Sequence, residues 1–146
     1  MASADDDDVR TIRALIARQF ESMSWSEGGS PDLAAFEADF LADASLYSSA
    51  RPVQPQSVNR FCERMHGLAG NSLRSFDETV LGSVVHVFGN VAIAAVACEN
   101  VENGVETNRN VEMMLLVKDG GAWRIAAQAW DRENASNPIP TELLGG

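Results

Sequence analysis

Residues 84–132 read VVHVFGNVAIAAVACENVENGVETNRNVEMMLLVKDGGAWRIAAQAWDR. Apolar residues recur here at every second position over long stretches, the period of a strand and not of a helix. Three breaks interrupt the pattern: Gly89-Asn90, Asn103-Gly104 and Asp119-Gly120-Gly121. All three favour the positive φ that tight hairpins need. The segment and its approach therefore predict a meander of four long strands, at about 74–88, 91–102, 105–118 and 122–132.

Hairpin geometry predicts which residues share a face. Two-residue turns at Gly89-Asn90 and Asn103-Gly104, then a three-residue loop at Asp119-Gly120-Gly121, gather one set of residues: Val85, Val87, Ala92, Ala94, Val96, Cys98, Asn100, Thr107, Arg109, Val111, Met113, Leu115, Val117, Trp123, Ile125, Ala127, Ala129 and Asp131. This set is nearly all apolar and is the expected inner face. Its polar members cluster at one end, where Arg109 is expected opposite Asp131. The other face carries His86, Glu99, Asn108, Asn110, Glu112, Arg124 and Gln128 beside Ile93, Met114, Leu116 and Trp130. Those four apolar side chains predict an interface, and a homodimer through this outer face is expected.

Upstream the period becomes helical. Val9, Ile12, Leu15, Ile16, Phe20 and Met23 mark a first helix from about Asp7 to Ser24, with the run Asp5 to Asp8 at its N-terminus, where carboxylates complement the macrodipole. Glu27-Gly28-Gly29-Ser30-Pro31 breaks it. Leu33, Phe36 and Phe40 mark a second helix ending near Ala42, and Leu46-Tyr47-Ser48 reads as a short strand. Pro55 opens a third helix with Val58, Phe61, Cys62, Met65 and Leu68 on its apolar face. Helices before a meander make an α+β domain: three helices on a curved antiparallel sheet, with an apolar pocket where they meet. The tail Asn137-Pro138-Ile139-Pro140 cannot extend a ladder and is expected along the surface.

The chain has 146 residues, 45% of them apolar, enough to bury a core without disulfides or metals. Its net charge of −10, with basic residues scattered, argues against nucleic acid and anionic membranes. Cys62 and Cys98 are far apart and form no CxxC or Cys/His cluster, so no metal is expected. No dinucleotide or phosphate-loop motif is present, so no cofactor is expected. The acidic N-terminus lacks the apolar core of a signal peptide, and no apolar run reaches a membrane-spanning length. A cytoplasmic location is the resulting expectation.

The stretches VVHVFGNVAIAAV (84–96), NRNVEMMLLVKDGGAWRIAAQAW (108–130) and NPIP (137–140), behind three helices, resemble the nuclear transport factor 2-like superfamily in its SnoaL-like branch. The resemblance implies a cone-shaped, cystatin-like α+β barrel filling residues 1–146 as one SnoaL-like domain, with a flexible start over 1–6 and a C-terminal tail over 137–146. It also implies a pocket between sheet and helices and frequent dimerisation through the sheet. Members include ketosteroid isomerase, limonene epoxide hydrolase, scytalone dehydratase and polyketide cyclases, alongside non-catalytic binding and assembly domains. Epoxide hydrolases of this fold use an Asp-Arg-Asp set; Arg109 and Asp131 match two of its parts, while Val111 stands two residues after the arginine.

Two functional readings follow. In the first, a cofactor-free isomerase, cyclase or hydrolase acts on a small apolar molecule, with Asp131 as base and Arg109 as its orienting partner. Tyr47, Asn100, Thr107, Cys98, Trp25, Phe61 and Met65 would line the ligand site. In the second, the domain is a non-catalytic binding or dimeric assembly module with a structural Arg109–Asp131 pair. His66 and His86 are expected to be structural or exposed.

Overall fold

The computed structural model describes residues 4–145. Helix α1 spans Ala4–Ser22 and carries Asp5, Asp6 and Asp7 in its first turn. Ile12, Leu15, Ile16, Phe20 and Met23 are buried, as their helical spacing predicts. The flexible start expected over residues 1–6 is helical from Ala4; residues 1–3, like Gly146 of the tail, lie outside the described residues. Helix α2 is short, Leu33–Ala38, and is capped by Asp32, whose side chain accepts a hydrogen bond from the Ala35 amide. Helix α3 spans Val58–Leu68 and is capped in the same way by Ser57.

The second helix ends earlier than its apolar spacing suggests. Phe40 opens strand β1, Phe40–Tyr47, because the chain pairs with the last strand of the meander there. A two-residue strand β2, Gln56–Ser57, precedes α3. The meander follows: β3 Phe76–Phe88, β4 Val91–Glu102, β5 Glu106–Asp119 and β6 Ala122–Arg132. The six strands form one sheet in the order β2-β1-β6-β5-β4-β3. Every pairing is antiparallel except β1 with β6, which is parallel. The meander β3–β6 is antiparallel, as expected, and β1 joins its last strand in parallel because α3 and three further strands of the meander separate the two along the chain.

Register is where expectation and structure part. Phe88 pairs with Val91 across Gly89-Asn90, as predicted. At the next hairpin Glu102 pairs with Glu106, so the loop holds three residues, Asn103-Gly104-Val105, with Asn103 at φ 53° and Gly104 at φ 74°. Ser75 explains the extra residue in part: its carbonyl accepts the Asn103 amide at 2.9 Å, and the Asn103 side chain accepts from the amides of Arg74 and Ser75. One added residue turns the whole of β5 over. Asp119 pairs with Ala122, making the last turn the two residues Gly120-Gly121, and a bulge between Leu115 and Leu116 resets the phase again along β6.

The concave face, covered by the helices, therefore carries Glu78, Val85 and Val87 from β3 and Ala92, Ala94, Val96, Cys98 and Asn100 from β4. From β5 and β6 it carries Asn110, Glu112, Met114, Leu116, Trp123, Ile125, Gln128 and Trp130. The main core sits between it and α1, with Ile12, Ile16, Val96, Leu116 and Ile125 almost fully buried. The opposite face is partly covered by the tail, where Ile139 and Leu143 pack on Ala97, Leu81, Val84 and Val111. A short 3-10 turn, Thr141–Leu143, holds them there. No helix among the described residues is long and apolar enough to cross a membrane.

Candidate active site

A cavity of about 400 Å³ opens between the sheet and the helices. Its apolar wall comes from Phe20 of α1 and Met23 just after it, Phe36 of α2, Leu46 of β1, Phe61 and Met65 of α3, and Trp130 of β6. Phe61 stacks on Phe36 at 5.6 Å and meets the edge of Trp130 at 5.9 Å, so three aromatic rings form one continuous surface.

The polar floor is built from neighbouring strands. Glu78 faces Asn100 across β3–β4, Cys98 faces Asn110 across β4–β5, and Glu112 lies one pair further along β5 on the same face. One atom each from Glu78, Cys98 and Glu112 lies within 4.8 Å of the other two. Cys98 donates to Glu112 Oε2 at 3.6 Å. The other oxygen, Oε1, accepts a short hydrogen bond from Gln128 Nε2, and Gln128 Oε1 accepts from Gln19 Nε2 at 2.8 Å. Asn100 and Asn110 both donate to Asn108 Oδ1, and Asn108 donates to Glu102 at the rim. The oxygens Gln19 Oε1, Asn100 Oδ1 and Asn110 Oδ1 are buried without a hydrogen-bond partner. Buried acceptors of that kind call for a donor from elsewhere.

Burial sets the protonation of this floor. It pushes the Glu112 carboxyl up to about 7, against the opposing pull of the Gln128 and Cys98 hydrogen bonds. Burial raises Glu78 well above the ordinary carboxyl range, and the charges of Glu112 and Asp77 add to it. Cys98 is raised too, first by burial and then by the charges of Glu112 and Glu78, so it remains a thiol. Two carboxyl groups this close cannot both ionise cheaply, and together they retain a proton near neutral pH. The spacing of the three groups also suits a cation, which would compete with that proton for the same oxygen and sulfur atoms.

The expected Arg109–Asp131 site is not formed. The flipped register of β5 and the bulge against β6 put both residues on the face away from the helices. Arg109 pairs with Glu99 at 3.0 Å. Asp131 is exposed, stands opposite Val111, and accepts from the Arg132 amide at 2.8 Å. Thr107 is exposed on the same side, opposite Val101. Tyr47 points away from the cavity that its neighbour Leu46 lines. Trp25 is buried against Phe76 at 5.6 Å, with its Nε1 donating to the Arg74 carbonyl, outside the cavity lining. Asn100, Phe61 and Met65 do line the cavity, and Cys98 lies against its floor. Glu78, Glu112, Gln128 and Gln19 are not among the expected site residues: alternation one step out of register puts Glu112 and Gln128 on the outer face. The visible signal was Glu112 itself, an acid two residues before the apolar pair Met114 and Leu116 on the same side of the strand.

No family model matches the sequence, and no curated protein matches it either. Solved structures do match. An NTF2-like protein of unknown function from Pseudomonas putida KT2440 superposes with a TM-score of 0.72 at 14% identity, over 97% of this chain and 96% of that one. The "Putative Scytalone Dehydratase" from Novosphingobium aromaticivorans superposes with a TM-score of 0.72 at 12% identity, over 91% of this chain and 93% of that one. A Nostoc punctiforme protein of unknown function with a cystatin-like fold gives 0.70 at 12% identity, over 91% and 95%. The chain has the nuclear transport factor 2-like, or cystatin-like, fold, as the sequence resemblance implies.

Proposed function

We propose that this domain is a cofactor-independent acid–base enzyme of the isomerase, cyclase or hydrolase type, acting on a small, largely apolar molecule held in the cavity. The observation that carries this reading is the meeting of Glu78, Cys98 and Glu112 beneath an aromatic-walled cavity. Glu112 is the general acid–base, because its carboxyl titrates near neutral pH, where it can both take and return a proton. Glu78 keeps the shared proton in reserve. The unpartnered oxygens of Gln19, Asn100 and Asn110 orient the substrate through its hydroxyl or amine groups. The fold neighbour named as a scytalone dehydratase is compatible with this class, as is placement in the SnoaL-like branch.

The test is a panel of enones, hydroxy-ketones and epoxides with aromatic or alicyclic bodies, assayed with the native protein and with Glu112→Gln. Turnover by the native protein that falls by roughly 100-fold or more in the variant supports the reading. Equal rates in the two proteins would remove Glu112 from the reaction.

A second reading, a non-catalytic binding module, is favoured by the same unpartnered oxygens, which require a donor but no chemistry. Its mark is ligand-induced thermal stabilisation that Glu112→Gln retains, with no turnover in either protein. Of the four apolar side chains expected at the outer-face interface only Ile93 is there, because the register of β5 and the bulge in β6 turn Met114, Leu116 and Trp130 toward the helices; in both readings a second copy is still the proposed partner of the exposed sheet face. There Val91, Ile93 and Ala95 lie opposite Val117, Leu115 and Met113, and Ile93, Met113 and Leu115 are 54%, 57% and 47% exposed.

A further inference from the structure

We infer that Gln19 and Gln128 are positioning residues that act through Glu112: their amide chain holds Oε1 as a hydrogen-bond acceptor and leaves Oε2 as the oxygen that exchanges the proton. This inference rests on the acid–base reading of Glu112.

Gln128 Nε2 donates to Glu112 Oε1, and Gln128 Oε1 accepts from Gln19 Nε2 at 2.8 Å. An amide has a donor end and an acceptor end, so each bond fixes the sense of the next. Reversing both amides would set Gln128 Oε1 against Glu112 Oε1. Those are two acceptors face to face whenever the carboxyl is ionised. The ionised form therefore holds the observed direction, and the chain in turn favours the ionised form. Gln19 and Gln128 are 1% and 4% exposed, so water does not replace either partner cheaply.

With Oε1 occupied, proton exchange falls to Oε2, the oxygen beside the Cys98 thiol. Other ionisable groups lie around it. Glu78 comes from β3 and Cys98 from β4, while Arg64 of α3, Arg132 of β6 and Glu102 of β4 line the same cavity. From α1, the turn after it and β1 the cavity receives Gln19, Phe20, Met23 and Leu46, none of them charged. The arrangement spans three elements far apart in sequence: α1 holds the far amide, β6 the near one and β5 the carboxyl.

The test needs no substrate. The side-chain carboxyl carbon of Glu112 is followed by NMR across pH in protein labelled with ¹³C-glutamate, for the native chain, Gln19→Met, Gln128→Met and the double variant. Methionine fills similar space and offers no amide. Gln128→Met is expected to move the Glu112 midpoint upward by roughly one pH unit. Gln19→Met is expected to move it in the same direction by less, and to have no further effect once Gln128 is gone. A packing role would change stability without this pattern. An unmoved midpoint in Gln128→Met would overturn the inference, as would a Gln19→Met shift that persists in the double variant. If Gln128→Met does not fold, an unmoved midpoint in Gln19→Met overturns it alone. The two proposals fail separately. A chain that moves the midpoint while Glu112→Gln keeps full turnover leaves the positioning intact and removes the reaction. An unmoved midpoint with an inactive Glu112→Gln does the reverse.

Discussion

The Cys98 thiol sits 3.6 Å from Glu112 Oε2, on the neighbouring strand of the concave face, with Cys98 wholly buried and Glu112 only 8% exposed. A carboxyl in that position has lost its water and received one thiol and one amide in exchange. Its proton affinity is consequently a property of the tertiary fold, and the consequences can be measured.

Stability should fall as pH rises. Glu112 ionises near 4.5 when unfolded and at about 7 when folded, so the folded state favours the protonated form. The native protein is therefore relatively more stable below the unfolded value and loses stability as pH rises from about 4.5 through about 7. Glu112→Gln should flatten that part of the profile and be more stable than the native protein at pH 8. Urea denaturation at pH 5 and pH 8 checks it.

Asp131→Asn should leave both stability and any turnover close to native, within about 0.5 kcal/mol, since Asp131 is exposed on the face away from the cavity. A large loss in either measurement would contradict the register described for β6.

Leu115→Lys should dissociate the proposed dimer. Leu115 stands opposite Ile93 in the middle of the exposed apolar patch, and a charge there meets its own copy across a two-fold interface. Sedimentation of the native chain and the variant at micromolar concentration decides the matter; a native monomer would dispose of the interface.

Lys118→Met should lower stability and blunt the acid response at a different place. Asp8 accepts hydrogen bonds from Trp123 Nε1 and Lys118 Nζ, both at 3.0 Å, tying the start of α1 to the end of the sheet. These bonds hold the Asp8 carboxyl below its ordinary value, with Trp123 first and Lys118 second. That contribution is present above the unfolded value of 3.8 and disappears as pH falls through the lower folded one. Thermal melts between pH 2 and 5 should show a smaller acid-induced drop for Lys118→Met, from a lower starting stability.

What the sequence by itself determined was local. Alternation over 84–132, the spacing of Ile12, Ile16 and Phe20, and the glycine turns were enough for the elements, their order and the α+β architecture, because each depends on residues close along the chain. Asn100, Phe61 and Met65 came with that reading, since they lie on strands or helices whose faces were phased correctly. Tertiary structure alone decided the site. Whether the Asn103-Gly104 hairpin holds two residues or three turns on bonds to Arg74 and Ser75, some 28 positions upstream, and a separate bulge opposite Leu115 and Leu116 sets the phase of the second half of β6. Those contacts choose which side of β5 meets the helices. A side-chain period of two converts a single added residue into the exchange of Arg109 for Glu112, and no pattern within the strand records that choice.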